Sequence, residues 1–118
     1  MKKTVFCFDL DNTLCTTKKN NYLKSKPKKN IINFVNRLYK EGHIIKIYTA
    51  RYMGRNNDMI MNEKKIFKLT SKQIKKWGLK FHKLFISKPS ADIYIDDKAY
   101  GYRSGWTRDL KKYIKKNK

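Results

Sequence analysis

Residues 5–14 read VFCFDLDNTL, and this stretch decides the fold. Its first four residues, 5–8, are apolar or aromatic with no polar alternation, which predicts a strand buried on both faces of a parallel sheet. The apolar run stops at Asp9, and Asp11 follows two positions later. The stretch therefore predicts a buried strand that presents two carboxylates just beyond its carboxyl end.

Helix-like and strand-like segments alternate along the rest of the chain. Apolar residues at near-helical spacing predict a helix from Pro27 to Gly42, and HIIKIY, residues 43–48, predicts the second strand. A helix is expected between residues 58 and 77, although Thr70-Ser71 leaves open a second, shorter one. The other predicted elements are a polar loop at 18–30, strands at 84–86 and 93–95, and a final amphipathic helix from Thr107.

This alternation predicts an α/β fold. We expect one Rossmann-like, three-layer domain over residues 1–118, with a central, mainly parallel sheet and helices on both faces. The length of 118 residues fits a single domain. In such sheets the ligand crevice lies at the carboxyl ends of the strands, so the residues that follow each strand are the candidate functional residues.

Each predicted strand is followed directly by polar residues, namely Asp9 and Asp11, Thr49, Lys88, and Asp96 with Asp97. Four carboxylates in one crevice repel one another unless a cation lies among them. Oxygen ligands favour a hard divalent ion, and Mg²⁺ is the usual one. No His or Cys stands at these strand ends, which disfavours zinc. A carboxylate that is not needed for the metal can act as a nucleophile, and a neighbouring one can carry protons.

The stretch FDLDNTL, residues 8–14, resembles the signature of the haloacid dehalogenase superfamily, an apolar strand that ends in Asp-x-Asp-x-Thr. The later motifs of that superfamily match in order, with Thr49 in IYTAR, Lys88 in SKPS and Asp96-Asp97 in IYIDDK. The resemblance extends from Thr4 to about Lys98. The stretch from IYTAR to IYIDDKA is similar to small capless phosphatases of capsule and surface-polysaccharide biosynthesis.

The resemblance implies a role for each matched residue. Asp9 attacks phosphorus to form an aspartyl-phosphate, while Asp11 protonates the leaving alkoxide and then activates the hydrolytic water. Thr49 and Lys88 hold the phosphoryl oxygens. The implied Mg²⁺ ligands are Asp9, the backbone carbonyl of Asp11, and the Asp96-Asp97 pair, in which Asp97 is the expected direct ligand and the alternative, Asp96, stays open.

Two arginines that follow Thr49, Arg51 and Arg55, are candidates for clamping a second anionic group of a substrate. An exposed loop without that role is the alternative. The segment between the first motif and Pro27 is too short for the cap domain that such phosphatases often carry, so we expect none. The uncapped crevice is then covered by another subunit of a homo-oligomer, or the substrate is large.

The implied activity is Mg²⁺-dependent phosphomonoester hydrolysis, with a sugar phosphate of polysaccharide biosynthesis as the expected substrate. The alternative is a polynucleotide 3′-end phosphatase, because IDDK is also similar to the phosphatase half of polynucleotide kinase-phosphatases, or a nucleic-acid-binding protein that has only the fold. The candidate aromatic and basic residues for such recognition are Tyr100, Tyr102, Arg103 and Trp106.

The composition bears on the choice of partner. The chain has 30 Lys and Arg against 9 Asp and Glu, a net charge of +21, which attracts nucleic acid, anionic membranes and phosphorylated substrates alike. Only 5 of these cations are Arg, which weakens specific nucleic-acid readout, and an AT-rich genome also produces a lysine excess. No apolar run suits a membrane span, so we expect a cytoplasmic protein with reduced Cys7 and Cys15. His43 and His82 are expected to be surface or packing residues.

Overall fold

The computed structural model of the protein describes residues 3–53 and 61–116. Five strands form in this part of the chain: β1 (Val5–Asp9), β2 (Cys15–Thr16), β3 (Lys26–Pro27), β4 (Ile44–Tyr48) and β5 (Lys83–Phe85). The helices are α1 (Lys29–Lys40), α2 (Glu63–Lys76) and α3 (Trp106–Lys116). The chain is thus a small α/β structure, as its alternating pattern predicts.

A three-stranded parallel sheet in the order β1–β4–β5 forms the centre of the fold. In the register of this sheet Phe8 lies beside Ile47, and Ile47 lies beside Leu84. Neighbouring residues of paired strands point to the same face, so these three side chains form one apolar face. All three are buried, which confirms that the predicted parallel strands build the core.

The helices pack on this apolar face. The order β1–β4–β5 means that both crossovers step in one direction, and crossovers of the usual right-handed kind then place α1 and α2 on the same side of the sheet. Trp106 of α3 packs against Phe8 and Phe34, so α3 joins them there. The buried residues contributed by the helices are Ile32, Phe34, Val35, Leu38, Ile66, Ile74, Trp106 and Leu110.

The opposite face of the sheet differs from the three-layer prediction. Val5, Cys7 and Phe85 point to that face by strand alternation, and all three are exposed. Within residues 3–53 and 61–116 the helices therefore cover one face and not both.

The strand predicted at 93–95 is wrong. This segment lies in the irregular chain between β5 and α3, and the Ile95 side chain is 96% exposed. Three apolar residues between polar ones bury too little surface to hold a strand without a neighbour to pair with. Instead, the hydroxyl of Tyr94 donates to the carbonyl of Pro89 and closes a local turn.

The lysine-rich segment predicted as a loop, 18–30, contains one strand of a small antiparallel pair. Strand β2 pairs with β3, which places Cys15 opposite Pro27. Pro27 therefore ends a short edge strand and does not begin a helix, and α1 starts two residues later. At its other end α1 stops before Gly42, whose φ of 96° is the left-handed conformation that glycine accepts without strain.

Helix α2 is a single helix, so the alternative of a second, shorter one is wrong. Its first turn is capped by Asn62, whose side chain accepts hydrogen bonds from the backbone N–H groups of Lys64 and Lys65. Thr70 and Ser71 lie in the middle of the helix and are buried against the core, so they pack and do not cap. Among the described residues, no helix has the length and apolar character to cross a membrane.

A pair of matched substitutions tests the core and the corrected segment. Ile45 is fully buried in β4, so Ile45→Ala should lower the free energy of unfolding by about 2–4 kcal/mol. Ile95→Ala removes the same atoms from an exposed site and should change the free energy by less than about 0.5 kcal/mol. Urea unfolding measures both values, and an equal cost at the two sites would show that residues 93–95 are packed.

Candidate functional site

A cleft of about 430 Å³ opens at the carboxyl edge of the sheet. Asp9 is the last residue of β1, Thr49 follows β4, and Lys88 lies three residues after β5. Backbone hydrogen bonds join these ends: Thr49 N donates to Phe85 O (3.0 Å) and Lys88 N donates to Thr49 O (3.2 Å). The residues lining the cleft include Asp9, Asp11, Asn12, Thr17, Lys19, Tyr22, Arg51, Lys88 and Tyr94.

A tight turn after β1 positions the two carboxylates. Leu10 N donates to Tyr48 O at 3.2 Å, and Leu14 N donates back to Leu10 O at 2.9 Å. Between them, Asn12 takes a left-handed conformation with a φ of 63°, which Asn tolerates better than most residues. The Asn12 side chain accepts a hydrogen bond from Thr17 N at 3.0 Å. This hydrogen bond holds the turn against Thr17, the residue that directly follows β2.

Asp9 is paired with an ammonium and a hydroxyl. Lys88 Nζ lies 3.1 Å from Asp9 Oδ1, and the Thr13 hydroxyl donates to Asp9 Oδ2 at 2.9 Å. The Asp9 side chain is still 30% exposed, so it faces the cleft and is not enclosed. The carboxylate is therefore oriented by two donors and accessible from the cleft.

Lys88 is held between two aromatic rings. Its Nζ lies 4.4 Å from the ring centroid of Tyr48 and 4.2 Å from that of Tyr94, within the range of cation–π attraction. Burial lowers the pKa of Lys88, but the charge and hydrogen bond of Asp9 more than offset this effect. The pKa of Lys88 is therefore raised above its ordinary value, and the side chain is positively charged at neutral pH.

Asp11 is paired with Arg51. Arg51 Nε lies 2.9 Å from Asp11 Oδ2, and Arg51 Nη2 lies 2.9 Å from Asp11 Oδ1, which is a two-pronged contact. The hydroxyls of Thr17 (2.6 Å) and Thr49 (3.2 Å) also donate to this carboxylate. The Arg51 side chain is 1% exposed, so its charge is compensated inside the protein.

The structure brings together four of the predicted site residues: Asp9, Asp11, Thr49 and Lys88. Arg51 lies with them, but its position differs from the predicted one. It is buried against Asp11 and does not stand free to clamp a substrate, because a guanidinium in the interior needs a carboxylate partner. Arg55 lies outside the described residues.

Asp96 and Asp97 do not join the other two carboxylates, which corrects the prediction that all four converge. Both are exposed, and Asp96 Oδ1 accepts a hydrogen bond from Lys98 N at 2.8 Å. The cause is the missing strand at 93–95, because an irregular segment does not bring these residues to the edge of the sheet.

Asp9 and Asp11 are the two carboxylates that line the cleft, so they are the candidate metal ligands there. Within the described part of the chain, no three His, Cys, Asp or Glu side chains are grouped to hold a metal. The oxygens of Asp9 and Asp11 accept hydrogen bonds from Lys88, Arg51 and hydroxyl groups, so an ion that binds these carboxylates would share them with, or displace, some of these donors.

Several residues of the site were not identified from the sequence. Thr13 stands inside the first motif, where its spacing from Asp9 gave a signal. Gln73 of α2 accepts a hydrogen bond from Arg51, and its only signal is that it is the single glutamine of the chain, between lysines. Thr17 stands in a segment with no pattern that indicates a site, whereas Tyr94 lies within the IYIDDK motif, in which only the two aspartates were identified as site residues.

His43 is a packing residue and His82 a surface residue, as the prediction of surface or packing roles allows. His43 is buried and its Nδ1 accepts a hydrogen bond from Thr4 N, while His82 Nδ1 accepts one from Ile45 N. Cys7 and Cys15 are both free thiols. Burial is the main cause that raises the pKa of each thiol, so neither resembles an activated nucleophile.

Comparison with known proteins adds a fold relationship. No protein-family model and no curated protein matches the chain. A crystal structure of an MCSG target from Vibrio cholerae is similar to 99% of this chain over 100% of its own, with a TM-score of 0.74 and 23% sequence identity. This likeness shows a shared fold over the whole chain.

The Arg51–Asp11 pair predicts a large stability effect. Arg51→Met leaves the Asp11 carboxylate without its main partner, so the free energy of unfolding should fall by about 3 kcal/mol. Arg103→Met is the matched control, because Arg103 forms an exposed ion pair with Asp109 and its loss should leave stability unchanged within error. Urea unfolding of both variants measures the difference, and equal stability of the two would contradict the buried pairing.

Proposed function

We propose that the chain is a phosphomonoester hydrolase of the haloacid dehalogenase type, with Asp9 as the nucleophile. One observation carries the proposal: the accessible Asp9 carboxylate lies 3.1 Å from the Lys88 ammonium at the carboxyl edge of a parallel sheet. The sequence resemblance of residues 8–14, 49 and 88 supports the same reading. The proposal includes the Rossmann-like topology of that superfamily, although in residues 3–53 and 61–116 the helices cover one face of the sheet and not both.

The chemistry has two steps. An Asp9 oxygen attacks phosphorus, the P–O bond to the leaving group breaks, and an aspartyl-phosphate forms. Water then attacks that phosphorus, which releases inorganic phosphate and restores the Asp9 carboxylate. Lys88 compensates the negative charge on the transferring group, since its ammonium already lies beside the attacking carboxylate.

Asp11 is the proposed proton carrier, because it is the second carboxylate of the cleft. Both of its oxygens accept hydrogen bonds from Arg51, and two hydroxyls add to them. To protonate the leaving alkoxide, Asp11 must carry a proton on one oxygen, so one of these donors has to release that oxygen. The Asp11 carboxylate then takes a proton from the attacking water, which restores its protonated form. Thr49 is the donor at the longest distance, 3.2 Å, and it lies at the end of the neighbouring strand.

The proposal includes a metal requirement, and the sequence resemblance alone supports it. The resemblance implies Mg²⁺ with Asp9, Asp11, Asp97 and Asp96 as its ligands, and of these Asp9 and Asp11 line the cleft. No step above depends on the ion. Assays with Mg²⁺ and with a chelator establish whether the reaction needs the ion.

The proposed substrate is a phosphorylated sugar of surface-polysaccharide biosynthesis. An open cleft of this size suits a small phosphate ester, and its lining holds three cations, Lys19, Arg51 and Lys88. A polynucleotide 3′ end is the second candidate, and one observation favours it. Lys28 Nζ contacts Tyr102 Oη (3.1 Å) and the carbonyl of Asn12 (3.3 Å), which places a cation and an aromatic ring beside the turn that carries Asp11.

Removal of the nucleophile tests the mechanism. Asp9→Asn should lower kcat for an aryl phosphate by about 10³-fold or more, because the amide cannot form the covalent intermediate. Asp92→Asn is the matched control, since Asp92 is exposed and does not line the cleft. Initial rates with and without Mg²⁺ measure both variants, and near-normal turnover by Asp9→Asn would show that Asp9 is not the nucleophile.

A substrate panel separates the two candidate substrates. The panel compares kcat/KM at low and high salt for three substrate classes: sugar phosphates, nucleotides and 3′-phosphorylated oligonucleotides. We expect kcat/KM to be highest for a sugar phosphate and to depend weakly on salt, since few charges are involved. A preference for oligonucleotides, with affinity that falls by about 10³-fold or more between low and moderate salt, would favour the nucleic-acid alternative.

A further inference from the structure

Arg51 links the cleft to helix α2. Its Nε and Nη2 bind Asp11, while its Nη1 donates to Gln73 Oε1 at 2.5 Å. Its guanidinium also lies 5.2 Å from the ring centroid of Tyr22. Because the side chain is buried, each of these contacts restricts where the guanidinium can lie.

Both polar atoms of the Gln73 side-chain amide form hydrogen bonds. Its Oε1 accepts from Arg51, and its Nε2 donates to the backbone carbonyl of Tyr22 at 2.9 Å. The side chain lies in the groove between α1 and α2, beside Ile32 and Trp77, and does not line the cleft. Among the described residues, Gln73 is therefore connected to the site by hydrogen bonds to Arg51 and to the Tyr22 carbonyl.

The position of Asp11 depends on this chain of contacts. A two-pronged guanidinium contact fixes both the distance and the plane of a carboxylate, which a single ammonium cannot do. The orientation of the guanidinium is in turn restrained by the Gln73 amide, together with the Ser25 hydroxyl oxygen, which lies 3.3 Å from Arg51 Nη2. A small displacement of a catalytic group is costly, since an error of about 1 Å can lower a rate by about 10²-fold.

We propose that Gln73 and Arg51 are positioning residues for the reaction, and that Gln73 orients the Asp11 carboxylate by holding the Arg51 guanidinium. This Gln73–Arg51–Asp11 relay rests on the proposed function, because it assigns Asp11 a role in catalysis. It makes α2 a determinant of turnover although no residue of α2 lines the cleft among those described.

The test is a double-mutant cycle on kcat for an aryl phosphate. Gln73→Met keeps the size of the side chain but removes the acceptor, so kcat should fall about tenfold while KM changes less than about twofold. In an Arg51→Met background the same substitution should have no further effect, because its route to Asp11 is already broken. Lys72→Met is the matched control, an exposed neighbour on α2 whose change should leave kcat as in the wild type.

Two results would overturn the relay. One is an equal fold-loss from Gln73→Met in both backgrounds, which is what a purely structural role predicts. The other is a loss that appears in KM alone, which would place Gln73 in substrate binding. If Gln73→Met does not fold, Gln73→Asn replaces it, since this amide is one methylene too short to reach Arg51.

Failure of the relay is distinguishable from failure of the proposed function. Wild-type activity that is lost in Asp9→Asn establishes the function, and the cycle then tests the relay alone. An inactive wild-type chain would overturn both. An active wild-type chain with additive losses would overturn only the relay.

Discussion

Parallel pairing of β1 with β4 is the constraint on which the site depends. The pairing aligns Phe8 with Ile47 on the buried face and Asp9 with Tyr48 on the opposite face. A slip of β1 by one residue would turn Asp9 toward the core and Phe8 toward solvent. The burial of Phe8 against Trp106 therefore fixes not only the core but also the side of the sheet on which the Asp9 carboxylate emerges.

Much of this arrangement could be predicted from sequence because it follows from apolar patterning. The runs at 5–8 and 43–48 are strands, and the amphipathic segments after them are helices. The prediction failed where contacts with other segments decide whether a segment forms a strand. Strands β2 and β3 have two residues each, and they form because Lys28 N reaches Leu14 O and because an edge strand tolerates Pro27. The reverse error occurred at 93–95, where an apolar run has no strand beside it.

The candidate site, like the fold, could be predicted from the sequence only in part. The rule that ligands bind at the carboxyl ends of parallel strands predicted that Asp9, Asp11, Thr49 and Lys88 lie together. Asp9, Asp11 and Lys88 line the cleft, and the Thr49 hydroxyl donates to Asp11. The rule does not predict which other side chains form hydrogen bonds with these four residues. Whether Arg51 turns toward solvent or toward Asp11 depends on the burial of its side chain and on an acceptor from α2, Gln73, which is 22 residues away in sequence. Spacing along a chain carries no record of such a contact.

The charge of the cleft differs from the charge of the chain. The chain carries +21, but the two carboxylates of the cleft are each paired with a cation, Asp9 with Lys88 and Asp11 with Arg51. Lys19 also lines the cleft, so the lining holds three cations and two carboxylates and has a net charge of +1. At physiological salt, exposed charges more than about 8 Å away are largely screened.

Two different sets of charges therefore act on a phosphate ester. The lysine excess of the surface raises the rate at which an anion meets the protein, because steering acts before contact. Once the ester lies in the cleft, its repulsion from Asp9 is offset by the ammonium at 3.1 Å, whose charge is not screened by solvent to the same degree. Removing surface lysines would thus slow encounter, whereas removing Lys88 would change the energy of the bound phosphate itself.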